Sequence, residues 1–414
     1  MDIDIRVFNS IIRILFMVIF AYQIFYVIVA FVKRQPKYTN PIVYHRFAVL
    51  ICARNEESVL GNLIESIKTG DYPQNLVDVY VMADNCTDST ARVAENRGAI
   101  VYTRENKTLV GKGYALEALL NKIAGDAGVD KYDGYFVFDA DNLVRNDYIT
   151  RMNEKFCQGY DVITSLRNSK NYGDNWLTAG CGLRFLRECK FLNLPRDILG
   201  TPCPVGGTGF LFSRKALMNR EGWHYHLLTE DIQFSVDNII KDAKMGYCDK
   251  AVFYDEQPDD LSQSVKQRMR WRKGIFQVIA NYGDKLIKGA FSGNFACYDM
   301  LACFAAPAFL SFLCFGANVF TLSVYAANGL SEMFIAKCVF DLIAGSYLTM
   351  FFIGRLTTIS CWKILRCPNY KKVLYTFTFP FFMMTYLPIS VMALFTNVRW
   401  TPIKHKDAKK IKEI

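Results

Sequence analysis

The sequence predicts an α/β fold: a mostly parallel sheet with helices on both faces, inserted between transmembrane helices. Three observations predict it. From about residue 47, short apolar runs alternate with helical stretches, the pattern of strands covered on both faces. Long apolar runs lie on either side of that region. The 414 residues are 51% hydrophobic yet 21% charged, too apolar for a wholly soluble enzyme and too charged for an all-membrane protein. The two kinds of residue must therefore be segregated along the chain.

The first apolar run, residues 11–32, is long enough to cross ~30 Å of hydrocarbon as a helix. Lys33 and Arg34 follow it, rather than a small-residue cleavage site, so it reads as a retained anchor with its carboxyl end cytosolic. "FAVLICA" (47–53) is a continuous apolar run ending in polar residues, as a buried strand does. A helix is expected over 57–68, a second strand at "VDVYVMAD" (77–84) and a helix over 89–96. "AIVYTR" (99–104) reads as a third strand, 114–123 as a helix and "YFVFD" (135–139) as a fourth strand. After residue 262 comes a basic, amphipathic stretch, then apolar runs at 300–325, 334–353 and 374–395. The expected organisation is an anchor over 1–40, a cytosolic globular domain over 41–260, an interfacial segment over 261–295, a membrane region over 296–398 and a basic tail over 399–414. Four spans would carry that tail outside, whereas "KHKDAKKIK" belongs inside. A break at Pro380 and Pro388, making the last run a re-entrant hairpin, would reconcile the two.

The net charge of +10 does not point to nucleic acid. Its basic residues cluster beside apolar segments (Lys33, Arg34 and Lys37; 266–273; Lys371 and Lys372; 404–412), as anionic inner-leaflet lipids favour. A multi-pass protein of the plasma membrane with a cytoplasmic domain is expected, with membrane lipids as partners. The 13 cysteines form no CxxC pair, and the four histidines (His45, His224, His226, His405) have no ligand spacing to them, which argues against disulfides and zinc.

In an open α/β sheet, ligands bind beyond the carboxyl ends of the strands. Here those ends carry Arg54-Asn55-Glu56, Asp84-Asn85 and Asp139-Ala140-Asp141. One acidic strand end is most often an ordinary turn or cap; three at one sheet edge are a site. Neither a GxGxxG nor a GxxxxGK[ST] loop accompanies them. Carboxylates without a phosphate-cradling loop suggest a bridging hard cation, Mg²⁺ or Mn²⁺, which would neutralise charge on a diphosphate leaving group.

"DAD" (139–141), "TED" (229–231) and "QRMRW" (267–271) resemble, in that order, the DxD, TED and QxxRW motifs of the processive family 2 glycosyltransferases, a group that includes cellulose, chitin, hyaluronan and poly-N-acetylglucosamine synthases. "ARNE" and "ADNCTDST" resemble the family's nucleotide-binding motifs, and "GGTGF" (206–210) sits where its acceptor-side loop would be. The resemblance implies a GT-A-type, Rossmann-like catalytic domain that uses a UDP-sugar with inversion. It implies that Glu56 and Asp84 contact the uridine, with Lys112 near the nucleotide. Asp139 and Asp141 would hold diphosphate and metal, and Asp231, beside Glu230, would be the general base. Gln267, Arg270 and Trp271 would hold the pyrophosphate and the acceptor sugar, with Gly207 on the acceptor side.

Simpler roles compete at two positions: Trp271 as an interfacial anchor, and Asp231 as a first-turn helix charge behind a Thr229 cap. His224 and His226 read as packing residues. Two departures stand out: Asp84-Asn85 replaces the consecutive aspartates of many relatives, and the membrane spans are few. The expected reaction is transfer of glucose or N-acetylglucosamine to a growing β-linked polysaccharide. The alternatives are glycolipid synthesis, a non-catalytic membrane scaffold, and a transporter with a cytosolic regulatory domain. A transporter is disfavoured by carboxyl-terminal spans with few ionisable residues beyond Asp341 and Arg355. A homo-oligomer could supply channel walls that one chain lacks.

Overall fold

The computed structural model describes every residue except 1–4, 36, 330, 402–404, 406, 407 and 414. A long helix, α1 (Ile5–Val32), precedes the globular domain. That domain opens with β1 (Phe47–Ala53), α2 (Leu60–Lys68), β2 (Val77–Asp84), α3 (Thr90–Asn96), β3 (Ile100–Arg104), α4 (Lys112–Ala127) and β4 (Gly134–Asp139). It continues through β5 (Leu143–Val144), α5 (Tyr148–Phe156), β6 (Val162–Ser169), α6 (Trp176–Glu188) and α7 (Leu194–Leu199). β7 (Phe210–Ser213), α8 (Arg214–Met218), α9 (Glu230–Ile240) and β8 (Met245–Asp255) complete it. Then come α10 (Leu261–Phe291), α11 (Phe295–Met300), α12 (Ala306–Ala327), α13 (Glu332–Ser360), α14 (Asn369–Met384) and α15 (Tyr386–Phe395).

The first four strands coincide with the expected ones to within a residue. The helices differ at their starts. α2 begins at Leu60 because Glu56 and Glu57 are used in the turn, where the Leu60 N–H donates to the Glu56 carbonyl at 3.0 Å. Alternate residues of β1 face opposite ways, as the pleat requires. Val49 and Ile51 pack with Leu60, Leu63, Ile64 and Ile67 of α2, whose 3–4 spacing puts them on one face. Ala48 and Leu50 meet Leu116, Leu119 and Ile123 of α4 on the other side. Burying each such side chain contributes about 1.5–3 kcal/mol.

The eight strands lie in the order β3-β2-β1-β4-β7-β6-β8-β5. Those up to β4 are parallel, as is the β6–β8 pair. β7 runs antiparallel to β4 and β6, and β5 antiparallel to β8. The expected parallel sheet thus holds for the first half and becomes mixed in the second. The reason is connectivity: the loop before β7 arrives at the carboxyl edge, where the Gly209 N–H donates to the Val137 carbonyl, so the strand must run back.

Among the described residues, four helical stretches are long and apolar enough to cross a membrane: Val7–Val32, Phe295–Ala327, Glu332–Ser360 and Asn369–Phe395. α1 and α12 are tied at one end by Asn9 and Asn318 (3.0 Å). At the other, the Tyr22 and Tyr26 hydroxyls donate to Asp299, which also forms a buried pair with Arg196 of α7. The last stretch has both its ends against the globular domain. At its start the Lys371 ammonium and Tyr375 hydroxyl donate to the Gly173 carbonyl (2.7 and 3.1 Å); beyond its end Arg54 lies 5.4 Å from the Trp400 ring. Its helix breaks at Thr385. Pro388 stands four residues after Met384, and a proline ring clashes with the carbonyl four residues earlier, which ends α14 there. Pro380, by contrast, is accommodated inside α14.

Candidate active site

The ends of β1, β2 and β4 are level, with Ala53 opposite Ala83 and Cys52 opposite Asp139. Asn55 (φ 58°) and Asn85 (φ 51°) then turn the chain through the left-handed conformation that asparagine tolerates. Glu56, Asp84, Asp139 and Asp141 consequently line one cavity of about 250 Å³. Lys112, the first residue of α4, pairs with Asp139 and donates to the Gly207 carbonyl at 2.8 Å. Asp84 pairs with Arg104 at 2.5 Å. Asp141 accepts the Glu256 N–H at 2.9 Å. Burial raises the Asp141 carboxyl, but His405 and Lys170 more than offset this and hold it below its ordinary range.

Glu230 and Asp231 open α9, where free N–H groups and the helix dipole favour negative charge. Thr229 occupies the cap position, but its side chain makes no capping bond, contrary to expectation; its hydroxyl is buried without a partner among the described residues. Gly207 (φ 81°) passes beside Asp231, and a Cβ on it would lie 3.5 Å from Asp231 Oδ2. Burial pushes the Asp231 carboxyl up, against the opposing pull of the Ile232 N–H, Lys112 and Arg270. Burial, then the charge of Asp231, push Glu230 up to about 7.

α10 reaches this site because it carries Gly274 where it crosses α9: a Cβ there would lie 2.5 Å from the Thr229 side chain. The close crossing brings Gln267, Arg270 and Trp271 into the cavity wall. Trp271 meets the Phe185 ring edge-on at 5.9 Å, so its indole belongs to the wall of the cavity. All of the residues singled out in the sequence, Gly207 included, therefore line one cavity.

Several lining residues were not singled out. Arg167 of β6 pairs with Asp255 at the end of β8 and donates to the Gly206 carbonyl at 3.0 Å. Burial raises Asp255 to about 6 despite Arg167, and its Oδ1 has no partner among the described residues. His405 donates to Glu56 at 2.9 Å, and Trp400, Thr401 and His405, beyond α15, line the cavity. Although burial disfavours its charge, Asp141 and Glu56 push His405 up to about 10. The tail is fixed further along, where Asn62 donates to the Ala408 carbonyl at 2.7 Å. His226 stacks on Tyr114 at 4.2 Å and meets Glu117 at 3.0 Å, a packing role as expected.

Among the described residues no three acidic, histidine or cysteine side chains converge as a ready-made metal cage. The oxygen donors of Asp139 and Asp141 fit a hard cation that takes its remaining ligands from a diphosphate and water, as Mg²⁺ does.

The sequence profile of glycosyltransferase-like family 2 matches residues 45–274. The beta-monoglucosyldiacylglycerol synthase of Synechocystis sp. is 25% identical over 249 residues, covering 59% of this chain and 50% of that protein. The poly-beta-1,6-N-acetyl-D-glucosamine synthase of Staphylococcus aureus is 22% identical over 240 residues, covering 56% of this chain and 54% of that one. The chain thus spans about half the length of the curated relatives it matches. In fold, it is similar to a mannosyltransferase of Pyrobaculum calidifontis solved in complex with GDP-Man and Mn²⁺. The TM-score is 0.60 at 15% identity, over 93% of this chain and 98% of that one.

Proposed function

This chain belongs to glycosyltransferase-like family 2, and from that premise we propose that it transfers glucose or N-acetylglucosamine from a UDP-sugar, with inversion, to a lipid acceptor at the cytoplasmic face of the plasma membrane. The observation that carries this reading is the reach of the cavity. It extends from the acidic strand ends past Asp231 to Asn193 and to Phe304, which lies on the bend between α11 and α12. A hydroxyl presented from the membrane side would meet the base directly.

Glu56 and Asp84 hold the uridine, and Lys112 and Arg270 face the diphosphate. Asp139 and Asp141 would hold Mg²⁺ or Mn²⁺, which when bound neutralises charge on the departing UDP. Asp231 takes the proton of the attacking acceptor hydroxyl, which bonds to the anomeric carbon on the face opposite the leaving diphosphate. Trp271 offers an apolar face for the acceptor. The "QRMRW" motif favours a second reading, repeated transfer to a β-linked polysaccharide.

The test is transfer of labelled sugar from a panel of UDP-sugars by the protein in nanodiscs, with Mg²⁺ or Mn²⁺. A small lipid-extractable product is expected, and Asp231→Asn should lower its rate by roughly 10²–10⁴-fold. Large, ethanol-insoluble product would select the polysaccharide reading. No turnover of any donor, or an unaffected variant, would overturn the proposal.

A further inference from the structure

Beside the cavity, three guanidinium groups gather around one ring. Arg184 of α6, and Arg268 and Arg272 of α10, lie 5.8, 5.2 and 5.1 Å from the centre of the Tyr386 ring on α15. Arg268 is fully buried and donates to Thr385 Oγ1 at the break between α14 and α15. Four polar atoms of the cluster are out of solvent and without a hydrogen-bond partner among the described residues: Arg184 Nη1, Arg268 Nη2, Arg272 Nε and the Tyr386 hydroxyl.

Among the described residues no carboxylate forms an ion pair with any of the three guanidiniums. Burial pulls the Arg268 and Arg272 guanidiniums below their ordinary range, against the opposing pull of Tyr386 and, at Arg268, of Cys181, and the charge of Arg184 adds to the lowering. Glu188 acts on Arg184 alone. Aromatic faces return part of the cost of desolvating a guanidinium, but they carry no counter-charge. Three guanidiniums around one ring, each with a buried nitrogen still lacking an acceptor, match a group with several acceptor oxygens, which a phosphate has and a single carboxylate has not.

The donor's diphosphate is served elsewhere. Lys112 and Arg270 face the carboxylates of the cavity, whereas Arg268 and Arg272 lie outside its wall and only Arg184 touches it. The cluster borders α14–α15, a stretch apolar enough for the membrane, whose Met392, Leu394 and Phe395 are exposed.

We propose that Arg184, Arg268 and Arg272 form a binding site for the phosphate of an anionic lipid, adjoining the acceptor end of the cavity. The word "acceptor" rests on the function proposed above; the phosphate site does not.

The experiment uses the full chain, delipidated in detergent, with phosphatidylglycerol, phosphatidylcholine or inorganic phosphate added. Thermal unfolding and lipid retention by native mass spectrometry are the readouts. Phosphatidylglycerol should raise the wild-type midpoint by several degrees and stay bound, with little effect from the other two. Arg184→Gln/Arg272→Gln should lose both effects. In lipid-free detergent its midpoint should be no lower than wild type, because two mutually repelling charges are gone. A merely structural role for these arginines would lower that midpoint instead. Should the double variant not fold, Arg272→Lys, which keeps the charge and loses the fork, should retain part of the stabilisation.

Equal stabilisation of wild type and variant by phosphatidylglycerol would overturn the site. An equal effect of inorganic phosphate on the wild type would overturn its lipid nature. None of these readouts needs turnover. Arginine-dependent lipid binding without sugar transfer would therefore refute the proposed function and leave the site standing.

Discussion

As the proposed base, Asp231 would have to be deprotonated to accept a hydroxyl proton, and its burial works against that. A carboxyl raised in the folded protein stays neutral to higher pH, so the acidic limb of kcat/KM should lie above the ordinary aspartate value of 3.8. Arg270 is one of the charges pulling it back down, so Arg270→Gln should move the limb to still higher pH as well as slow transfer. A pH profile in both proteins checks this, and a limb at the ordinary position, unmoved by the variant, would contradict it. At this scale the acidic strand ends were legible because a charge that terminates an apolar run is a local signal. The Arg167–Asp255 pair, 88 positions apart, and the His405–Glu56 pair, 349 apart, leave no local trace. Nor does Arg184 stand out on a helix whose sequence reads as ordinary.

The element that brings the two halves of the site together is α10, and Gly274 sets how closely it crosses α9. Gly274→Ala should force the helices apart, because its methyl would fall 2.5 Å from Thr229. Gly283→Ala on the same helix is the control, since its nearest contact is an ordinary 3.5 Å to Ile279. Alanine favours a helix interior over glycine by about 1 kcal/mol, so Gly283→Ala should be active and slightly more stable. Gly274→Ala should lose on the order of 10²-fold in transfer, the scale of a displacement of about 1 Å near the chemistry. Rates and thermal midpoints of the two variants decide it. The strands up to β4 were readable as 5–8-residue apolar runs. Those after it were not: β5 has 2 residues, β7 has 4, and β6 ends in the polar Arg167-Asn168-Ser169, which pairs deep in the sheet.

Across the whole molecule, the Arg196–Asp299 pair, buried and sealed by Tyr22 and Tyr26, joins the globular domain to α1 and α11. Removing one partner leaves an uncompensated buried charge, so Asp299→Asn should destabilise by about 3–5 kcal/mol. Arg196→Met/Asp299→Leu should recover much of that loss, because the cost lies in the orphaned charge. Unfolding of the three proteins in one detergent measures it, and a double variant worse than the single one would refute the account. Where the apolar helices lie was plain from composition. The surroundings of the fourth were not, because the contacts at its two ends are with residues 54, 62 and 173, far away in sequence.

That arrangement has a topological corollary. If α1, α12 and α13 cross and α14–α15 enters and leaves on one side, the chain would traverse the bilayer an odd number of times, in keeping with the bond from Asn62 to the Ala408 carbonyl that holds the basic segment beside the sheet. On the function proposed above, sugar would then be added in the leaflet where the nucleotide donor is met. Display of that product on the opposite surface would then call for a separate translocation step.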